Sequence, residues 1–243
     1  MIPLLLWSIR WRFLALAAFC LFFYLMEPGF HFHGVPGPET PPELVEPSGL
    51  SFSLANLAGL SVLVLLWGFV ATDRRRGYYR IYFSHPTRPL TYYGVRWLLG
   101  YGGALATAAL FLVLGQLAAW GEIRTGARTL EQAALMALVY GGITAFFSVL
   151  LRFGDSLLAL GVFAVTETWQ GAISVFAEIG TTPLPPTLSQ VIAFILPPHA
   201  TITSTYQAWE AGVWAWGSIA YVAGYGIFWL VAAGLLLHLR EWP

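Results

Sequence analysis

The chain has 243 residues, of which 58% are hydrophobic, 16% aromatic and only 10% charged, with a mean hydropathy of +0.69. An ordinary soluble domain carries about 25% charged residues, so this composition excludes a water-facing surface of the usual kind. The formal net charge is zero, which argues against nucleic acid or any other polyanion as a partner.

The first apolar segment runs from about Arg12 to Glu27. Arg10 and Arg12 precede it as they would in a signal peptide, but Tyr24-Leu25-Met26-Glu27-Pro28 offers no small-x-small cleavage site, so it predicts a retained helix. Residues Ile2–Trp11 suit a short interfacial helix, with Trp7 and Trp11 at headgroup level. The lone cysteine, Cys20, lies in this first run and cannot form an internal disulfide; it reads as a small buried hydrophobe.

Five more segments follow, at about Phe52–Thr72, Trp97–Trp120, Leu130–Leu151, Asp155–Ala177 and Val213–His238. A crossing helix needs roughly 20 mostly apolar residues, and a lone strand cannot satisfy its backbone in lipid. The runs are continuous rather than alternating, which excludes a β-barrel. The expectation is one all-α integral membrane domain over residues 1–243 with six transmembrane helices. All twelve basic residues are arginines. With the N-terminus inside, Arg10, Arg12, Arg74, Arg75, Arg76, Arg80, Arg88, Arg96, Arg152 and Arg240 fall on the inner side, and only Arg124 and Arg128 outside. That bias sets both termini in the cytoplasm.

The outer loop Glu27–Ser51 is Pro-rich and acidic, with Glu39, Glu43 and Glu46. The inner loop Asp73–Arg96 is basic and aromatic. Its first half suits a short helix with Tyr78, Ile81 and Tyr82 on one side and Arg75, Arg76 and Arg80 on the flanks; Pro86 and Pro89 break its second half. Such an element suits either a positive-inside loop held at the interface or a docking knob for a cytoplasmic partner. Between the fifth and sixth segments, Thr181-Thr182-Pro183-Leu184-Pro185-Pro186 precedes apolar Val191–Leu196, then Pro197-Pro198-His199. Val191–Leu196 is too short to span and reads as part of an outer re-entrant or interfacial hairpin.

Asp73, Gly77, the Arg80–Phe83 stretch, Pro86, Arg88, Tyr92 and Tyr93 resemble, in order and position after the second segment, the cytoplasmic coupling helix of ABC-2-type transporter permeases. Phe194-Ile195-Leu196-Pro197-Pro198-His199 is similar to that family's extracellular hairpin before the last helix. The long Pro-rich loop after the first segment departs from the pattern. The resemblance implies a dimerising permease, homo- or heterodimeric, in a bacterial or archaeal cytoplasmic membrane. It implies a separate ATPase subunit holding ATP and Mg, in contact with Asp73, Arg75, Arg76, Gly77, Tyr78, Arg80, Ile81, Tyr82, Pro86 and Arg88. The chain contains no lysine, and so no Gly-x-x-x-x-Gly-Lys phosphate loop of its own.

Glu167 stands near the middle of the fifth segment, where an ionisable side chain is costly and faces protein or water. Thr166, Gln170 and Ser174 follow on an adjoining strip, which suits a substrate path or a dimer contact. The histidines do not pair within the helices, so a bis-histidine haem is poorly supported. His31-x-His33 supplies too few ligands for a metal. Gly-x-Ser-x-Gly, His-Glu-x-x-His and a pair of intramembrane carboxylates are all absent, so the expectation is no enzyme and no cofactor on this chain. Two alternatives belong to other classes: a structural membrane anchor of a larger complex, and a membrane-embedded enzyme acting on lipid.

Overall fold

The computed structural model describes residues 10–27, 30, 47–78, 88–123, 127–178 and 185–239. Among these the secondary structure is entirely helical: α1 (Arg12–Met26), α2 (Pro47–Leu65), α3 (Ala71–Arg76), α4 (Pro89–Trp120), α5 (Leu130–Leu150), α6 (Asp155–Glu178), α7 (Pro186–Ile195), α8 (His199–Glu210) and α9 (Trp216–Leu239). A 3-10 turn, Ala127–Thr129, leads into α5. Four helices, α4, α5, α6 and α9, are long and apolar enough to cross a membrane; α1 and Leu50–Leu65 are shorter apolar helices. The chain is therefore an all-α protein of the multi-pass membrane kind.

Helix α5 is the hub. Of its apolar window 72% is buried, against 17% for α9, so α9 and the other outer helices present apolar faces outward. Small residues allow the close approach of α5 and α9: a Cβ at Gly142 would collide with the carbonyl oxygen of Gly226, and one at Gly226 would meet the backbone of Leu138. Small-residue crossings of this kind are how helices associate where lipid removes most of the hydrophobic driving force.

The segment expected to run unbroken to Thr72 is interrupted. Helix α2 ends at Leu65, and a turn over residues 66–70 redirects the chain into α3. The Arg12 guanidinium donates to the carbonyls of Leu65 and Trp67, satisfying the orphan acceptors at the end of α2. The free amides of the turn are met from the side: Gly68 donates to Ser156 Oγ at 2.9 Å, and Val70 and Ala71 donate to Ser148 Oγ at 2.8 and 3.1 Å. A buried backbone group left unpaired would be costly, so these serines are what make the elbow possible.

Helix α3 stops at Gly77, whose φ of 71° is the left-handed conformation that ends helices. Tyr78 beyond it is helical again, and the rest of the expected short helix, with Ile81 and Tyr82, lies outside the described residues. Pro89 has a different role from the one expected. It does not break a helix but opens α4 at a first-turn position, where its missing N–H costs nothing. Helix α4 thereby gains two turns before Trp97 and, at 32 residues, reaches about 48 Å. Pro197-Pro198 separates α7 from α8, since α7 cannot continue through residues with no amide donor.

Candidate functional site

Two polar clusters sit within the apolar bundle, one at the C-terminal end of α5 and one at its midpoint. At the elbow, Arg96 Nη1 of α4 lies 2.7 Å from Asp73 Oδ2 of α3, and Tyr93 Oη donates to the same oxygen at 3.3 Å. Both charged side chains are almost fully buried. Burial pushes the Asp73 carboxyl up from the usual range, outweighing the opposing pull of Arg96, the Tyr93 hydrogen bond and Arg12. Asp73 was expected on the docking surface; its carboxylate is instead turned inward and ties α3 to α4. Arg74 Nη1 donates to the Val149 carbonyl at 2.9 Å, fixing the same short helix to α5. Arg75, Arg76, Tyr78 and Arg88 are exposed, and Gly77 caps α3. Arg80, Ile81, Tyr82 and Pro86 lie outside the described residues, as do His31, His33 and His85.

The second cluster joins residues that are far apart in sequence. His199 opens α8 and is 2% exposed. Its Nε2 is 2.7 Å from Tyr140 Oη on α5, and its Nδ1 is 2.7 Å from Glu167 Oε1 on α6. The Glu167 contact is close but poorly aligned as a hydrogen bond, so it is an ion-pair contact if His199 is protonated. The Phe163 ring packs against both Tyr140 and His199, with centroids 4.9 and 5.9 Å away. Glu167, expected on a path or an interface, thus meets a histidine expected in the outer hairpin. Further contacts hold α7 and α8: Gln132 Nε2 donates to the Ile202 and Thr203 carbonyls at 3.1 and 3.3 Å, and Tyr225 Oη donates to Ile195 O at 2.9 Å.

Beside this cluster lies a cavity of about 390 Å³ between α6, α8 and α9. Thr166 and Gln170 from the predicted strip line it together with Pro197 and Pro198 from the predicted hairpin. These two groups, assigned separately from sequence, therefore share one space. The side chain of Ser174 is not among those described. The rest of the lining combines Trp169, Ile173 and Leu196 with Thr201, Thr203 and Tyr221, an amphipathic wall. The Trp169 indole N–H, on this wall, has no hydrogen-bond partner. Among the described residues no three His, Cys, Asp or Glu side chains come together as metal ligands would.

Sequence reasoning missed Tyr140 and Gln132 as polar anchors. Each is a hydrogen-bonding side chain in an otherwise apolar helix, and that is a detectable signal, but only the fold names the partner. No family model matches the chain, and neither a curated protein nor a solved structure is similar to it.

Proposed function

We propose that the chain is the permease subunit of an ATP-driven exporter of the ABC-2 type. A separate ATPase subunit, holding ATP and Mg, docks on the arginine-rich elbow. In this reading the chain spans a bacterial or archaeal cytoplasmic membrane six times, with both termini inside, and pairs with a second permease subunit. The α7–α8 pair is the outer re-entrant hairpin.

The observation that carries the reading is the pair of short helices between α6 and α9, folded at Pro197-Pro198 and tied into the bundle through His199 beside a cavity. The elbow adds support. Helix α3 leaves Arg75, Arg76 and Tyr78 exposed for a partner while Asp73 is locked to Arg96. A push on α3 is therefore delivered to the longest helix, α4, and through Arg74 to α5. Helix α5 carries Ser148 at the elbow and Gln132 at the hairpin, about 24 Å apart along one rigid rod. Closure of two partner ATPases then shifts α4 and α5 against the hairpin and opens the cavity. The amphipathic wall suits a lipid-like or amphipathic cargo. No chemical step falls to this chain. Tyr140 and His199 are both buried, which supports a structural rather than a chemical role for that pair.

The test is purification of the tagged protein from its native membrane in mild detergent, with identification of bound partners and an ATPase assay. A P-loop ATPase is expected, retained by the wild type and lost when Arg75 and Arg76 are changed to glutamate. If no ATPase is retained, the exporter reading fails and the membrane anchor takes its place.

A further inference from the structure

At the arginine-rich end of the bundle the elbow and the turn before α6 enclose a second, smaller pocket of about 160 Å³. That is room for roughly five waters at about 30 Å³ each, the scale of a small headgroup and too little for a nucleotide. Two cations flank it. Arg75 of α3 and Arg152 of the turn both lie against the Phe153 ring, 5.8 and 5.7 Å from its centroid, which gathers both guanidinium groups at the pocket. Both arginines are exposed, so neither has given up its charge to the fold.

The pocket also holds an anion. Asp155, first residue of α6, is 6% exposed, and its Oδ2 has no hydrogen-bond partner. A buried carboxylate oxygen left unmet is expensive. The neighbouring Ser156 hydroxyl accepts from the Gly68 amide and makes no hydrogen bond to Asp155 Oδ2. Whatever fills the pocket must therefore bring two things: an anion for the arginines and a donor, best a cationic one, for Asp155.

Two further residues show where such a ligand comes from. Trp67 and Leu157 line the pocket and are 43% and 63% exposed. In a membrane-spanning chain, exposed Trp and Leu beside arginines mark the level where acyl chains meet headgroups. A soluble anion would gain nothing from them.

We propose that this pocket is a binding site for a phospholipid with a primary-ammonium headgroup, of the phosphatidylethanolamine kind. The phosphate sits between Arg75 and Arg152. The ammonium donates to Asp155 Oδ2, and the acyl chains run along Trp67 and Leu157. A choline headgroup is disfavoured because its quaternary ammonium has no N–H for Asp155. A glycerol headgroup has hydroxyl donors but brings no positive charge. The bound lipid clamps α3 to the start of α6 at the elbow. The inference depends on the chain lying in a membrane and not on the exporter reading.

The test is native mass spectrometry of the full-length protein in mixed micelles holding equal amounts of ethanolamine, choline and glycerol phospholipids. The wild type is expected to retain the ethanolamine lipid over the choline lipid by about tenfold, the scale of one charge-assisted hydrogen bond. Asp155→Asn should collapse that preference. Arg152→Gln, at an exposed position, should lower retention of all three lipids roughly tenfold while leaving the melting temperature in lipid-free detergent unchanged. Equal retention of choline and ethanolamine lipids by the wild type overturns the proposal. So does an Arg152→Gln protein that holds lipid as well as the wild type, or displacement of the lipid by millimolar inorganic phosphate, which would mark a free-anion site. Should Asp155→Asn fail to fold, the wild-type ratio and Arg152→Gln still decide. Both substitutions leave the residues proposed to dock the ATPase, Arg75 included, in place. A wild type without lipid preference but with its ATPase retained would count against this site alone.

Discussion

At the scale of single residues, Asp73 and Arg96 form a buried charge pair whose members cannot be removed singly without cost. Asp73 and Arg96 are both almost fully buried and 2.7 Å apart. Desolvation offsets much of their attraction, so the pair as a whole contributes little to stability. Taking away one partner is a different matter, because the other is left charged in an apolar setting. Asp73→Ala is expected to destabilise the protein by about 3–5 kcal/mol, measured as a fall in the thermal unfolding midpoint in detergent. The double variant Asp73→Ala, Arg96→Met should recover much of the loss. If the double variant is no better than the single one, the two side chains are not coupled as described. The His199 cluster makes a graded prediction. His199→Leu removes the hydrogen bond at Tyr140 Oη and the close contact at Glu167 Oε1 and should cost about 1–3 kcal/mol. His199→Gln keeps one hydrogen-bonding end and should lose less; equal losses would mean that volume, not hydrogen bonding, matters at this position.

Elements were more legible in the sequence than the contacts between them. Long apolar runs announced α4, α5, α6 and α9, because lipid and core both demand about 20 apolar residues. Pro197-Pro198 marked the break between α7 and α8, since two missing amides end a helix wherever they fall. Pro89 was read the wrong way round because a proline signals a boundary without saying which side the helix is on, and only the N1 position of α4 resolves it. The break after Leu65 had one weak local signal, Gly68, which adopts φ 61° in the turn, and it otherwise depends on Arg12, Ser148 and Ser156, three residues from other helices. Glu167 stood out by its cost in an apolar helix, but its partner His199 lies 32 positions away and its neighbour Tyr140 belongs to a third helix. The glycines carry a prediction at this same scale. Gly142 and Gly161 look alike in sequence, yet only Gly142 faces a neighbouring backbone, and nothing stands within 4 Å of a Cβ at Gly161. Gly142→Leu should force α5 and α9 apart and cost about 1–3 kcal/mol, whereas Gly161→Leu should be close to neutral. Thermal unfolding of the two variants side by side checks this. A comparable loss at both positions would remove the α5–α9 crossing as the reason for the glycine.

For the whole molecule, four helices are long and apolar enough to cross a membrane by themselves, and the number of crossings turns on α1 and α2. Helix α1 has 15 residues, about 22 Å at 1.5 Å per residue, which falls short of a hydrocarbon core of about 30 Å. Yet Arg12 at its start is bonded to the end of α2, among the other arginines, and Glu27 past its end accepts from Ser53 near the start of α2. The two helices therefore lie antiparallel over their full length, and α2 leads directly into an elbow fixed to the end of α5. Since α5 is long enough to cross, α1 and α2 share its depth. The chain should cross six times, with local thinning or flanking residues making up the deficit of α1. Replacing Cys20, the lone cysteine, by serine gives a background for cysteine scanning with a membrane-impermeant maleimide. Cysteines placed at Arg76 and Phe153 should be labelled only from the arginine-rich side, and those at Glu122 and Gly212 only from the other. A cysteine at Trp11 decides the count: with six crossings it reacts from the same side as Arg76, whereas labelling of Trp11 from the side of Glu122 would show that α1 does not follow α2 through the membrane.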